Sequence, residues 1–565
     1  EWAADIIERN LERMMKTGEI STLNQWMDKL PEEILHRRPY LSLAYAWSLI
    51  AAHQLQLARY WLDEVRMWLG RFEKQTGATQ NSSRPVMGDG IEDDRFQFVR
   101  AGLAICHSSL AMLSGDMEQA AEFYQQASEV LPEENVYAQS LIALDNSMSA
   151  ILSGDTQKAI EALRGAMRIA RQANNPFVLV IATGALADMQ AQQGQLSKAW
   201  ETLQRAQYLV QGPDGNPLPL AGLLDISLGD ILLEQDLLEE AREYLERGCQ
   251  VTQSMWYLGS LNGMVSLTRL RQAIGDIAGS QSALAEAERM AVSAEAGEWD
   301  NAAVAATAIR LALLRGDLSA AELWWKKGGL PNLSGTIAIE DYPYHIYEYL
   351  LLTQARFLLV KGQDTKNQRD LQQAAELLRT ILPAAEQYQR VTSQIEMLIF
   401  LAMAQFALGE QGAHKTLLRA LALGEPEGYR RLYLDEGQRL SALLHQCRLE
   451  QQETGSYFPS LAFIDSLLED IQHAGTNRQL APQPAEQKAS PTTARLEDGF
   501  PISLSMREME VLKSIAEGKS NQEISNEFYL ALNTIKRHAY NIFAKLEVSN
   551  RTQAVMKARQ LGLIQ

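Results

Sequence analysis

Cysteine is almost missing from the 565 residues: Cys106, Cys249 and Cys447 stand far apart and are odd in number. That excludes a disulfide framework and a thiolate zinc cluster, and it fits a reducing compartment, the cytoplasm. Long apolar runs are missing too. The longest nearly apolar stretches, around Leu41–Ala52 and Phe177–Ala187, fall short of the roughly 20 residues a bilayer requires, so no membrane partner is expected. There is no secretory leader pattern. The eight histidines show no HExxH or other ligand spacing, so no metal site is expected. No Gly-x-Ser-x-Gly occurs, and the abundant acids read as solvated helix surface. Ala407–Thr416 (ALGEQGAHKT) has only the outline of a phosphate loop. His414 stands where a Gly must precede the Lys, and the segment follows a helix rather than a strand. The chain is therefore not expected to be an enzyme or to hold a cofactor.

What is present is charge and repetition. Lys and Arg number 52 against 70 Asp and Glu, a formal net charge of −18, with 46% apolar and 22% charged residues. Such a composition is ordinary for a folded chain, and the length implies several domains or one long repeat array. An acidic average argues against nucleic acid only if the charge is evenly spread.

Three stretches resemble one another: GDMEQAAEFYQQASEVLP from Gly115, GDTQKAIEALRGAM from Gly154 and GQLSKAWETLQRAQ from Gly194. Counted from the Gly, a small residue recurs at +5 (Ala120, Ala159, Ala199), a large apolar one at +9 (Tyr124, Leu163, Leu203) and Ala at +12 (Ala127, Ala166, Ala206). The frame continues from Gly18, His53, Asp236, Gly275 and Gly316, with weaker copies near Gly362 and Gly409. Spacing of +5, +9 and +12 is a helical stripe. Seven residues before each start lies another small position, such as Ser108, Ser147, Ala187, Gly229 or Thr268, where a first helix receives the second. Each unit is a helical hairpin that buries its stripe only by stacking on neighbours. About ten hairpins are expected over residues 1–425. The step of 39–42 residues from Gly115 to Gly316 is longer than the usual ~34 of tetratricopeptide repeats, so the helices are lengthened. The polar stretch Gly70–Glu92 reads as a surface insertion and Gly212–Pro217 as an inter-repeat turn.

Beyond residue 474 the character changes. Residues 475–499 hold three prolines and no aromatic residue, and read as a flexible linker. Over residues 501–565, nine Lys and Arg face six acids, a charge of +3, which leaves −21 on the first 500 residues. Ser505–Glu508 and Ser520–Glu523 are capping boxes that open two helices. A third is expected from Asn533 or Thr534 to Leu546, with Ile535, Ala539, Ile542 and Leu546 on one face, and a fourth over Arg551–Leu561. Two short helices, a tight turn and a basic helix form a helix-turn-helix whose second element suits the major groove. From Asn533 to Arg559 six basic residues meet one acidic, a local footprint for phosphate.

The blocks REMEVL, EGKSNQEI, NTIKRH, NIFAKL and RTQAV make this tail resemble the LuxR-type DNA-binding domain over its whole length, with departures at Ala531 and Glu547. The resemblance implies that Lys536, Arg537 and Tyr540 enter the major groove and that Thr534, Asn541 and Lys545 contact phosphates. It also implies that the fourth helix is the dimer contact. His538 reads as an ordinary half-buried histidine. GYRRLYLDEGQRLSALLHQC (Gly428–Cys447) resembles the segment that closes the repeat region of large MalT-like LuxR-family regulators. In that class an ATPase module of the STAND type, with its ATP, precedes a tetratricopeptide-like sensor domain. The first residue is Glu1, not Met, and the chain is expected to be part of a longer protein.

The expected fold is all-α: a tetratricopeptide-like α-solenoid over 1–474, a linker over 475–499 and a four-helix LuxR-type domain over 500–565. The expected function is a transcription regulator, an activator, whose solenoid senses a small-molecule or protein effector at residues the sequence does not reveal. Its implied partners are double-stranded DNA, RNA polymerase and a second copy in a dimer or higher oligomer. The rival reading is a protein-binding repeat scaffold with a secondary tail.

Overall fold

The structure is a computed structural model. It describes residues 1–76, 91–113, 116–130, 136–207, 210, 218–252, 257–293, 298–328, 330, 344–454, 459–479, 494–495, 501–502 and 506–528. Of the last segment it describes 535, 538–539, 542–543, 546, 548, 550–561 and 563–564.

Helices α1 (Trp2–Thr17) and α2 (Ile20–Met27) form the first hairpin, and α3 (Glu32–Arg37) leads to the next. There follow α4–α5 (Pro39–Ala51, Leu55–Thr76), α6–α7 (Ile91–Leu113, Met117–Val130), α8–α9 (Val136–Leu152, Thr156–Gln172) and α10–α11 (Pro176–Gln192, Leu196–Gln207). The series continues with α12–α13 (Ala221–Glu234, Leu238–Thr252), α14–α15 (Tyr257–Ala273, Ile277–Ser293) and α16–α17 (Glu298–Leu314, Leu318–Lys327). It ends with α18–α19 (Tyr344–Thr365, Gln368–Gln387) and α20–α21 (Val391–Leu408, Ala413–Gly424). A short α22 (Arg431–Leu434) and the pair α23 (Gln438–Thr454) and α24 (Leu461–Gln479) close the array. The all-α solenoid read from the repeat is therefore present.

The stripe residues are its core. Ala159, Leu163 and Ala166 are fully buried, as are Ala199 and Leu203, Ala241 and Leu245. The two small positions meet across each hairpin: Ser108 Oγ donates to the Ala120 carbonyl at 2.9 Å, and Ser280 Oγ donates to the Thr268 carbonyl at 3.0 Å. A Cβ on Gly229 would run into the Leu245 side chain. Positive φ marks the turns, at Gly154 (78°) and Gly194 (73°) but also at His53 (59°) and Asp236 (60°), which hold the same place without glycine. The Asp that follows the turn Gly has its own task. Asp155, Asp276 and Asp317 accept from the backbone N–H three residues on, at 3.1, 2.9 and 2.9 Å, and so cap the second helix.

Four expectations change. The weaker copy expected near Gly362 starts at Lys366 (φ 55°), because Gly362 lies inside α18 and the left-handed turn falls later, whereas Gly409 (φ 72°) does end α20 in the left-handed region, with Gly412 (φ 90°) just before α21. The stretch 70–92 is helical at both ends. Phe72 stacks on Trp68 at 5.2 Å and on Phe96 at 5.0 Å, which carries α5 through to Thr76; residues 77–90 lie outside the described residues. Helix α24 runs to Gln479, past the boundary at 474, and a two-residue antiparallel pair, β1 (Ala494–Arg495) with β2 (Pro501–Ile502), spans the expected linker end. Two helical windows, Phe96–Leu113 and Val391–Leu408, are long and apolar enough to cross a membrane. Both are first helices of hairpins, wedged between second helices and neighbouring repeats, and such a helix is apolar all round. The turn expected at Gly212–Pro217 and the start Gly115 lie outside the described residues.

Filling a small stripe position is expected to destabilise the array. Ala159→Trp should lower the melting temperature by the equivalent of about 1–3 kcal/mol or more, since a fully packed site has no room to expand. An unaltered melting temperature would place Ala159 outside the packed stripe.

Candidate functional site

The tail has a core of its own. Helices α25 (Met506–Ala516), α26 (Asn521–Phe528) and α27 (Arg551–Gln560) surround Val511, Leu512, Ile515 and Ile524. The apolar face expected of the third helix is in that core: Ile535, Ile542 and Leu546 are fully buried and Ala539 nearly so. The capping box at α26 is formed on both sides. The Ser520 N–H donates to Glu523 Oε2 at 2.6 Å, and the Glu523 N–H donates to Ser520 Oγ at 3.2 Å. Asn550 caps α27 through the Gln553 N–H at 3.0 Å.

Arg551 departs from the phosphate footprint in which it was counted. Its guanidinium donates to the Ile515 carbonyl at 3.1 Å and to the Lys519 carbonyl, so it ties α27 to the end of α25. His538 is not half-buried but enclosed, with Nδ1 3.8 Å from Glu240 Oε1 at the start of α13. Of the expected DNA contacts, Thr534, Lys536, Arg537, Tyr540, Asn541 and Lys545 all lie outside the described residues.

The second site lies inside the solenoid. Turns that end first helices meet hairpins far along the chain. Arg390 Nη1 donates to the Gly154 carbonyl at 3.0 Å. Thr392 Oγ1 and Tyr429 Oη both donate to the Ala191 carbonyl at 2.9 Å. The Arg430 N–H donates to the Glu234 carbonyl at 2.9 Å, and Arg431 pairs with Asp236 at 2.7 Å. Gly154 and Gly194 have no room for a Cβ because the Tyr344 ring and the Val391 side chain lie against them.

This closure encloses a cavity of about 530 Å³, walled by the first helices from α8 to α20 and by α22. Arginine–carboxylate pairs cross it: Arg310 with Glu396 at 2.7 Å, Arg390 with Glu348 at 2.9 Å, and Arg356 with Glu436. Arg310 also lies 4.2 Å from the centre of the Tyr349 ring. Asp188 and Asp230 face the same space and make no ion pair among the described residues. Asp188 is exposed toward the cavity, yet protein surrounds it closely. Burial, then the charge of Asp230, pushes its carboxyl up to about 7. Burial likewise pushes Asp230 up to about 6, against the hydrogen bond from Ser266 and the charge of Arg269. No local pattern in the sequence marks this cavity. The paired Arg-Arg of Gly428–Cys447, beside two buried tyrosines, was the nearest signal.

Residues 101–452 match the family model described as MalT-like TPR region, and residues 502–558 match that of bacterial regulatory proteins, luxR family. The chain belongs to the MalT-like TPR-region family and carries a luxR-family helix-turn-helix domain at its end. The HTH-type transcriptional regulator MalT of Klebsiella pneumoniae (strain 342) is 23% identical over 581 residues, which covers 99% of this chain and 58% of that protein. The regulator of the same name from Yersinia enterocolitica (serotype O:8 / biotype 1B) is 23% identical over 580 residues, with the same shares. The chain thus spans less than two thirds of these relatives' length. Among solved structures, a Rap protein complexed with competence and sporulation factor gives a TM-score of 0.44 at 12% identity, over 67% of this chain and 99% of that one.

The raised carboxyls set a pH dependence. A folded-state pKa above the unfolded value means that the folded chain holds the proton more tightly, so stability from these groups is lost as pH rises through about 4 to 7. Asp230→Asn is therefore expected to raise the melting temperature at pH 8 and to raise it less at pH 5. An equal gain at both values would show that Asp230 carries no such strain.

Proposed function

We propose that this chain is the sensing and DNA-binding part of a transcription regulator, with the solenoid as sensor and residues 500–565 as the DNA-binding domain. The luxR-family match over residues 502–558 carries the reading. The buried face at Ile535, Ala539, Ile542 and Leu546 supports it, because helical periodicity leaves the basic positions for the other face. In this reading Lys536, Arg537 and Tyr540 read base edges, while Thr534, Asn541 and Lys545 hold phosphates. Activation through RNA polymerase, dimerisation through α27, a small-molecule or protein effector and a cytoplasmic location complete the proposal.

The acidic array and the basic tail suggest how the two parts communicate. With −21 on the first 500 residues and +3 on the rest, the array repels DNA while it attracts the domain. The His538–Glu240 approach is a place where the two meet.

Two measurements follow. Lys536→Ala and Arg537→Ala should each weaken binding to the cognate operator by about 1–3 kcal/mol, roughly 5- to 150-fold, and flatten its salt dependence. Unchanged affinity in both would sink the groove-reading assignment. Residues 495–565 alone should bind DNA more tightly than the full chain without effector, and equal affinity would remove the shielding idea.

A further inference from the structure

The interior cavity is not satisfied by its own side chains. Among the described residues, four polar atoms in its wall have no hydrogen-bond partner: Asp230 Oδ1, Glu234 Oε2, Arg310 Nη2 and Arg356 Nε. They are segregated. The two acceptors sit one helical turn apart on α12, and the two donors sit on α16 and α18. Arg356 is only 5% exposed, so bulk water does not serve it. Buried donors and acceptors left open in this way are rare in native proteins and ask for an explanation.

Charge points the same way. Each arginine named in the wall has a carboxylate mate: Arg310 with Glu396, Arg356 with Glu436, Arg390 with Glu348, and Arg269 with Glu234. Among the described residues Asp188 and Asp230 have none; the charge of Asp230 disfavours ionisation of Asp188, and that of Glu234 disfavours ionisation of Asp230. Beyond Arg269, which Glu234 already holds, no positive charge stands at the α10–α12 wall to pair with the two aspartates, and the α16–α18 wall lacks an acceptor for the open N–H groups. A neutral polyol would fill hydrogen bonds and leave both aspartates uncompensated. A simple anion would meet the arginines and worsen the aspartates.

We propose that the cavity binds a small molecule with a protonated amine at one end and a carboxylate at the other, of the class of free amino acids and short unblocked peptides. The ammonium sits among Asp188, Asp230 and Glu234, and the carboxylate takes the open N–H groups of Arg310 and Arg356. The volume lies in the range of small-molecule sites, about 300–1,000 Å³. This assignment rests on reading the solenoid as the sensor, and it names the ligand class of that sensor.

The test uses the full chain in calorimetric titration, with four probes: a mixture of unprotected dipeptides, the same mixture N-acetylated, the same mixture C-amidated, and a neutral disaccharide. Saturable binding of the unprotected mixture is expected, weakened about tenfold or more by either blocking group. Asp230→Asn, which is expected to fold at least as stably as the parent, should weaken the unprotected mixture to a similar degree. Arg310→Gln should remove the penalty for amidation. Equal binding of blocked and unblocked mixtures, binding of the disaccharide alone, or no saturable binding of any probe overturns the assignment. DNA affinity is measured in parallel. If the dipeptides bind as expected but leave DNA binding unchanged, the sensor reading fails and the cavity's ligand class stands. If DNA binding depends on Lys536 and Arg537 but no probe binds, the ligand class fails and the DNA-binding reading stands.

Discussion

The fold depends on what becomes of a few helix C-terminal carbonyls. Every helix ends with carbonyl groups that have no partner within it. In an open solenoid those at hairpin turns meet water. Here the carbonyls of Gly154, Ala191 and Glu234 accept from Arg390, from Thr392 and Tyr429, and from the Arg430 N–H. Each acceptor lies near the end of a first helix, α8, α10 or α12, where the helix dipole favours a nearby cation. The turn glycines serve the same contact, since Gly154 and Gly194 admit the Tyr344 ring and the Val391 side chain where any Cβ would collide. One set of polar contacts thus turns a stack of hairpins into a closed superhelix.

Closure creates the electrostatic conditions inside. Side chains on the inner faces of the first helices lose much of their contact with bulk water, though Asp188 stays exposed. The arginines respond by pairing across helices, as Arg310 does with Glu396 and Arg390 with Glu348. Such pairs recover only part of the cost of desolvation, so their value lies as much in fixing which helices face each other as in stability. Asp188 and Asp230 are left to compete for protons. A wall under charge strain is poorly optimised for stability, which is the usual mark of a surface retained for binding.

Periodicity made the hairpins legible because it is local. The +5, +9 and +12 stripe is set by one helix packing on its neighbour, and Ala159, Leu163 and Ala166 are buried for that reason. The left-handed turn was legible even without glycine, at His53 and Asp236, because the stripe fixes the frame. The turn at Lys366 carries no glycine signal of its own, because α18 continues through Gly362 to Thr365. The cavity was not legible at all. Its walls come from residues separated by more than 200 positions, and no local pattern tells Arg390 that it will meet Gly154. Within the tail the inward face of the third helix was legible from spacing. The structural task of Arg551 was not, since a basic count does not separate a side chain that meets phosphate from one that ties two helices together.

The segment Gly428–Cys447 joins these levels. Tyr429 and the Arg430 N–H make closure contacts, and Arg431 pairs with both Asp236 and Asp435. Tyr433 is fully buried, with its hydroxyl donating to the Ala420 carbonyl at 2.7 Å. Glu436, on the same segment, holds Arg356 in the cavity wall. Arg430 reaches onward to Ser466 and Asp470 of α24. Charge placed beside Arg356 therefore acts on a segment whose other residues grip both the closure and α24. The same few residues close the superhelix, line the cavity and anchor α24.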